Sequence, residues 1–485
     1  MKKSPHIIHI PVMGTGFSID SAIRVGHFGI STVISIIDDL LVEKIRKHYS
    51  NEYSLPYFII PRWAEDGRAK RISAYLEMVK VIVEKNFKAV QELPFFEKND
   101  KEKYFRMLPE DSPLRLEWKR LLEMEPGKLR DEKSSQLTDK MTPGSIDVNI
   151  MAKVDRPNRD KKGKPLGEIY SDARSALRGY AKTSLESSII FSAGINQGLY
   201  SYMAEFQDFY RDASGKIKKK IILKVSDFRS ALIQGKFLAK KGLEVHEFRI
   251  ESGLNCGGHA FASNGELLPV LLKEIREKRA QLSVSFRPLI EKYYEKMGWE
   301  FPEVIRTHEP LITVQGGIGT KGEIDRLIKD FGMDQVGIAS PFLLVPEATC
   351  VDVPTRKKLM GAGEDDLYLS GASPLGVPFN NLRDSESQIW TEKRYDDGRP
   401  GSPCPKGFLK SNTEFTEDQI CTASCDYQGA KINQVDMLTE ELSERKTKHE
   451  KIILKTCLCD HLGNGALLEL GVARKDNLPT AICPG

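Results

Sequence analysis

The stretch Pro310–Thr349, PLITVQGGIGTKGEIDRLIKDFGMDQVGIASPFLLVPEAT, decides the fold. It reads as a short apolar strand (Leu311–Gln315), a Gly-Gly-Ile-Gly-Thr turn, a charged helix opening at Thr320, and a second strand (Gln335–Ala339) closed by Ser340-Pro. A short apolar run, a charged helix-period segment and another short apolar run make a parallel βα unit. Glycine after one strand and a small residue after the next let backbone N–H groups and a helix N-terminus approach a phosphate closely. Tight strand-to-helix turns need glycine anyway, so Gly316 and Gly317 alone decide little. With Ala339 and Ser340 at the neighbouring strand end, the phosphate reading prevails.

The same alternation extends outward from this stretch. Six more short runs read as strands: His6–Met13, Thr32–Ile37, Asp147–Val154, Ser188–Ala193, Ile221–Val225 and Glu244–Glu251. Several are too short and too apolar for a sheet with one wet face, which implies parallel strands covered by helices. Eight such strands with helical crossovers close most simply into a (βα)8 TIM barrel, an α/β fold, with an open doubly wound sheet as the rival. Ser226-Asp227 caps a helix running to Gly242, and Asn264-Gly-Glu266 precedes another. Two regions break the rhythm. About 94–143 is dense in Lys, Glu, Asp and Pro, contains the helical LEWKRLLEME, and reads as a charged insertion. From 351 to 485 cysteines and glycines rise and the alternation stops. The expected organisation is therefore a barrel over 1–350 and a Cys-containing, loop-rich C-terminal extension over 351–485.

Composition narrows the function. Lys+Arg 72 against Asp+Glu 68 in 485 residues gives a net charge of +4, and no basic block suggests a nucleic-acid partner. The run Lys216–Lys220 reads as a solvated turn before a strand. No apolar run is long enough to cross a membrane, and the N-terminus has no export-signal pattern. The expectation is a cytoplasmic protein with a small-molecule substrate, whose eight cysteines are core residues, metal ligands or redox groups. The chain ends abruptly at Cys483-Pro-Gly, as a fragment of a longer polypeptide would.

Chemistry in a barrel belongs to the C-terminal strand ends. There the sequence places Met13 and Gly14, Asn149, Lys224, the loop Glu251–His259 with Gly257 and Gly258, Gly316 and Gly317, and Ala339 and Ser340. Most of the chain's histidines, such as His27, His48 and His449, read as surface or helix residues. His259 stands apart because it lies in a glycine-lined strand-end loop. With an unperturbed pKa near 6.5, an imidazole there can act as a base at neutral pH.

Three segments resemble the nitronate monooxygenase (2-nitropropane dioxygenase-like) family of FMN-dependent (βα)8 barrels. They are PVMGTGFSIDSAIRVGHFGI (Pro11–Ile30), IESGLNCGGHAFASNGELLPVLLKEI (Ile250–Ile275) and the opening stretch, within a match over roughly 6–350. The resemblance implies an FMN-dependent oxidoreductase, a flavoprotein. Met13 and Gly14 would lie against the flavin ring, and Asn149 and Lys224 would bond its polar edge or ribityl chain. Gly257 and Gly258 would let the loop approach, and Gly316, Gly317, Ala339 and Ser340 would hold the phosphate. His259 would be the base that removes an acidic C–H proton. The chain departs from the family at Ala339-Ser340, where Gly-Thr is usual, and at Asn255-Cys256, where Glu-Ala is usual. Cys256 reads as a small packed side chain or as a redox thiol. Alternatives are a flavin-dependent enoyl-type reductase, a flavin-free phosphate-binding isomerase or lyase, and a non-catalytic scaffold. In the extension, Cys457, Cys459 and His461 would share one side of an extended segment. Cys404, Cys457, Cys459 and Cys483 are the candidates for a zinc or iron–sulfur site, against a reading as buried structural thiols.

Overall fold

Each expected strand forms, and the eight close in sequence order into a parallel barrel in which β1 pairs with both β2 and β8. The strands are β1 Ile8–Ile10, β2 Ser31–Ser35, β3 Ile146–Ile150, β4 Ser187–Phe191, β5 Lys219–Val225, β6 Val245–Ile250, β7 Leu311–Gln315 and β8 Gln335–Gly337. Closure removes the open doubly wound alternative. The computed structural model describes residues 5–151, 155–191, 194–251, 268–404, 406–474 and 478–482.

The strands turn an apolar face outward. Ile34, Val148, Ile189, Leu223, Phe248 and Val314 point outward and share one core with helix residues such as Leu76, Leu177, Leu238 and Leu272. Inside, Val33, Ile190 and Ile222 form a small apolar cluster of their own. Around it the register brings in polar groups, because Val33 pairs with Asp147, Ile190 with Asn149 and Ile222 with Glu247. His9, Asp147, Lys224, Glu247, Arg249 and Gln315 are all buried. Buried charge persists only when paired, and Arg249 supplies the pairing. Its Nε donates to Glu247 at 2.5 Å, and Nη2 lies 3.8 Å from Asp147. Asp147 also accepts from the Ser145 hydroxyl at 2.6 Å and the Ser188 amide at 2.9 Å.

The lysine run before β5 corrects the expectation of a solvated turn. Lys219 and Lys220 belong to β5, and Lys219 is fully buried, with its ammonium donating to the Thr183 carbonyl and hydroxyl at 2.9 and 2.8 Å. Burial lowers its pKa to about 8. The folded state therefore gives up this proton before the unfolded chain does, and stability rises as pH climbs from about 8 towards the ordinary lysine value. Urea titrations should show that rise in the wild type and not in Lys219→Met; an equal rise in both would refute the assignment.

The charged insertion is helical. Helices Asp100–Met107, Pro113–Leu122 and Lys128–Lys140 fill it, and Phe105 stacks on Trp118 with centroids 5.8 Å apart. Asn99 and Ser112 cap the first two through their side chains. Beyond 351 lie an antiparallel hairpin, β9 Leu367–Ser370 with β10 Phe379–Leu382, and helices that include Glu386–Asp396, Leu442–Ile453 and Leu458–Glu469. The last of these sits against the turn after β1. A Cβ on Gly16 would stand 2.8 Å from the Leu462 carbonyl oxygen, so glycine is what permits the contact. Lys406 ties the extension to the barrel through Asp38 at 2.5 Å and also holds Asp460 of the helix Leu458–Glu469 at 2.8 Å.

Candidate functional site

The C-terminal ends of β3, β5, β6 and β7 bring together Asn149, Lys224, Glu251 and Gln315. Lys224 Nζ lies 3.3 Å from Glu251 Oε2, and the Gln315 amide donates to that same oxygen. The side-chain amide oxygens of Gln315 and Asn149 are buried without a hydrogen-bond partner. Buried amides are rarely left so, and a set of them at one strand end is what a bound polar molecule would satisfy. Beside Gln315 lies His9, whose ring is 2% exposed. Burial holds its pKa well below the usual value, and the Arg249 and Lys224 charges push the same way, so the ring is neutral. Gly337 makes room for this arrangement, since a Cβ there would meet Gln315 Cβ at 2.7 Å and His9 Nε2 at 2.8 Å.

Glu251, Gln315 and His9 were not singled out for a role from the sequence. For Glu251 a signal was present as a period of two: Glu247, Arg249 and Glu251 alternate with Phe248 and Ile250, which marks one polar and one apolar strand face.

The turn after β7 has the expected backbone, with Gly316 and Gly317 at φ +95° and +68°, conformations that disfavour any side chain. Ala339 and Ser340 follow β8 at the adjacent strand end, where Ser340 opens a short 3-10 turn. The helix Lys321–Lys329 departs from expectation. Its N-terminus is already capped, because Glu323 accepts from the Gly319 and Thr320 amides at 2.8 Å each and from the Thr320 hydroxyl at 3.0 Å. These contacts hold the Glu323 carboxyl below its usual pKa. A phosphate would therefore fall to Gly316–Gly317 and Ala339–Ser340 and not to the amides that Glu323 occupies. Were FMN the ligand, as the resemblance implies, Glu323→Gln should tighten its binding and leave riboflavin binding unchanged, since only the phosphate would meet the removed charge. Equal shifts for both ligands by fluorescence titration would contradict this.

Met13 lies in the core cluster that the barrel shares with Cys457, Cys459 and Leu462, and its amide donates to Ser18 Oγ at 3.1 Å. Gly14, at φ +54°, faces Phe17 and Leu462. Gly257, Gly258 and His259 lie outside the described residues, as do Cys256 and Cys483.

The cysteine expectation needs correction. Cys457 caps the helix Leu458–Glu469, and Cys459 and His461 lie within it, so strand alternation does not apply. Among the described residues no group of three or more His, Cys, Asp or Glu side chains is arranged to hold a metal ion. Cys404, Cys457 and Cys459 are free thiols, and burial pushes Cys457 up to about 12. Cys457 and Cys459, buried and held protonated, are poor nucleophiles, whereas Cys404 is half-buried. His461 instead bonds Ser387 Oγ at 2.6 Å, beside a cavity of about 300 Å³ lined by Tyr368, Ser387, Thr391 and Leu458. Among the described residues no helix is long and apolar enough to cross a membrane.

No family model matches this sequence, and no curated protein matches it. Among solved structures it is similar to the enoyl reductase domain of MlnA from the macrolactin biosynthesis cluster of Bacillus amyloliquefaciens. The two are 15% identical, with a TM-score of 0.38 over 74% of this chain and 78% of that one.

Proposed function

We propose that this protein is an FMN-dependent oxidoreductase of the nitronate monooxygenase type, acting on a small substrate with an acidic C–H. The observation that carries the reading is the gathering of Asn149, Lys224 and Gln315, two of them with unsatisfied buried oxygens, at the end of a closed barrel beside a double-glycine turn. Those groups suit the polar edge of a flat heterocycle, and the Gly316–Gly317 and Ala339–Ser340 strand ends suit a phosphate. Bound there, FMN would supply the two-electron acceptor. Within this reading Lys224 and Asn149 bind and orient the ring, Gly257 and Gly258 allow close approach of their loop, and Met13 and Gly14 back the ring. His259 takes the substrate proton at its imidazole nitrogen. Burial of the strand ends excludes water from the pair that reacts.

The decisive experiment is the absorption spectrum of freshly purified protein, with release and identification of any bound chromophore. Two flavin bands and released FMN support the reading; a colourless protein that takes up no added FMN defeats it. Nitronate turnover should fall by about two to four orders of magnitude in His259→Ala if the imidazole is the base. Turnover of an enoyl thioester with a nicotinamide donor, unaffected by that substitution, would favour an enoyl-type reductase instead.

A further inference from the structure

We infer that Glu251 is a positioning residue that sets the charge presented to the bound ring. The inference rests on the flavin reading above and deepens it. Lys224 is the cation nearest the proposed ring edge, and its ammonium is 3.3 Å from Glu251 Oε2. That oxygen also accepts the Gln315 amide, so one carboxylate holds both side chains in place. Lys224 and Glu251 are each buried, at 8% and 1% exposure, and their interaction is weakly screened. The rest of the layer does not substitute for Glu251. Arg249 is engaged by Glu247 and Asp147 on the inner side of the barrel, and burial keeps His9 neutral.

Two consequences follow for the ring. Lys224 offers hydrogen bonds to it but little net positive charge, because the carboxylate behind it cancels the field. The Gln315 amide end is committed to Glu251, which fixes the buried side-chain oxygen beside the His9 ring. Such a layer binds a neutral oxidised ring and gives little help to negative charge that collects on its polar edge. Removing Glu251 while keeping Lys224 would reverse that balance.

Sulfite reads this property directly, because it adds to the flavin ring and leaves an anionic adduct. The test uses the full-length protein loaded with FMN, wild type beside Glu251→Gln, Lys224→Gln and the double variant. Sulfite Kd is measured from bleaching of the longer-wavelength flavin band, and FMN Kd from fluorescence. Glu251→Gln should bind sulfite about tenfold more tightly or better, the equivalent of about 1.4 kcal/mol of uncompensated charge. Lys224→Gln should weaken sulfite binding, and the double variant should return close to wild type. Circular dichroism checks folding, and the opposite sign in Lys224→Gln keeps the test alive if Glu251→Gln does not fold. FMN-loaded variants whose sulfite Kd values match wild type would overturn the role of Glu251 and leave the flavin reading intact. Failure of every form, wild type included, to take up FMN would sink both.

Discussion

Arg249→Met should cost about 3–5 kcal/mol of stability, the largest loss expected from any single change at the barrel interior. The guanidinium is 2% exposed and lies between Glu247 and Asp147, at 2.5 and 3.8 Å. Methionine fills much of the volume but takes the guanidinium away from two buried carboxylates, with the Lys220 charge still acting on both. Urea unfolding at neutral pH measures the loss. A loss under about 1 kcal/mol would mean that Asp147 and Glu247 are satisfied by Ser145, Ser188, Lys220 and solvent without Arg249. Adding Glu247→Gln to Arg249→Met should recover part of the loss, because it removes one of the stranded charges.

The second large effect is at the junction of barrel and extension. Gly16→Val should destabilise the protein by about 2–3 kcal/mol and loosen the helix Leu458–Glu469 from the β1 turn. The nearest atom to an added Cβ is a backbone oxygen, Leu462 O at 2.8 Å, followed by Ala466 Cβ and the Gly463 Cα at 3.2 Å. A backbone obstacle cannot rotate away as a side chain can, so the helix must shift. Loosening would expose Cys457 and Cys459, now buried, and thiol labelling under native conditions should accelerate at both. Unchanged labelling and an unchanged melting temperature would show that the junction does not depend on this close contact and is held by others, such as Lys406 with Asp38 and Asp460. Gly16→Ala should give the same effects at smaller size.

These expectations draw on features that were unequally legible in the sequence. The strands were readable because their outer faces are runs of Ile, Val and Leu separated by capped, charged helices, and a parallel set of eight has few ways to close. Gly316 and Gly317 were readable because a positive φ restricts the residue type. The interior network was harder to see, since Lys224, Glu251 and Gln315 come from three strands and only the barrel's closure makes them neighbours. Glu323 was read as part of a helix start, and its second role in occupying the turn's own amides depends on a side-chain geometry that spacing leaves open. Cys457 misled because an apolar, glycine-containing tail was read as extended, whereas Leu458–Glu469 is a helix that buries its glycines against the barrel.

The polar lining of the barrel also bears on how the protein responds to temperature. Unfolding raises heat capacity by about 0.45 cal/K/mol for each Å² of apolar surface exposed and lowers it by about 0.26 for each Å² of polar surface. A barrel filled with aliphatic layers contributes only the first kind from its interior. Here Asp147, Lys224, Glu247, Arg249 and Gln315 occupy positions that branched aliphatics fill in most barrels. The heat-capacity increment per residue should consequently be low for the fold, and the curve of stability against temperature correspondingly broad. Such a protein would lose stability slowly on cooling and would approach its thermal midpoint along a shallow slope.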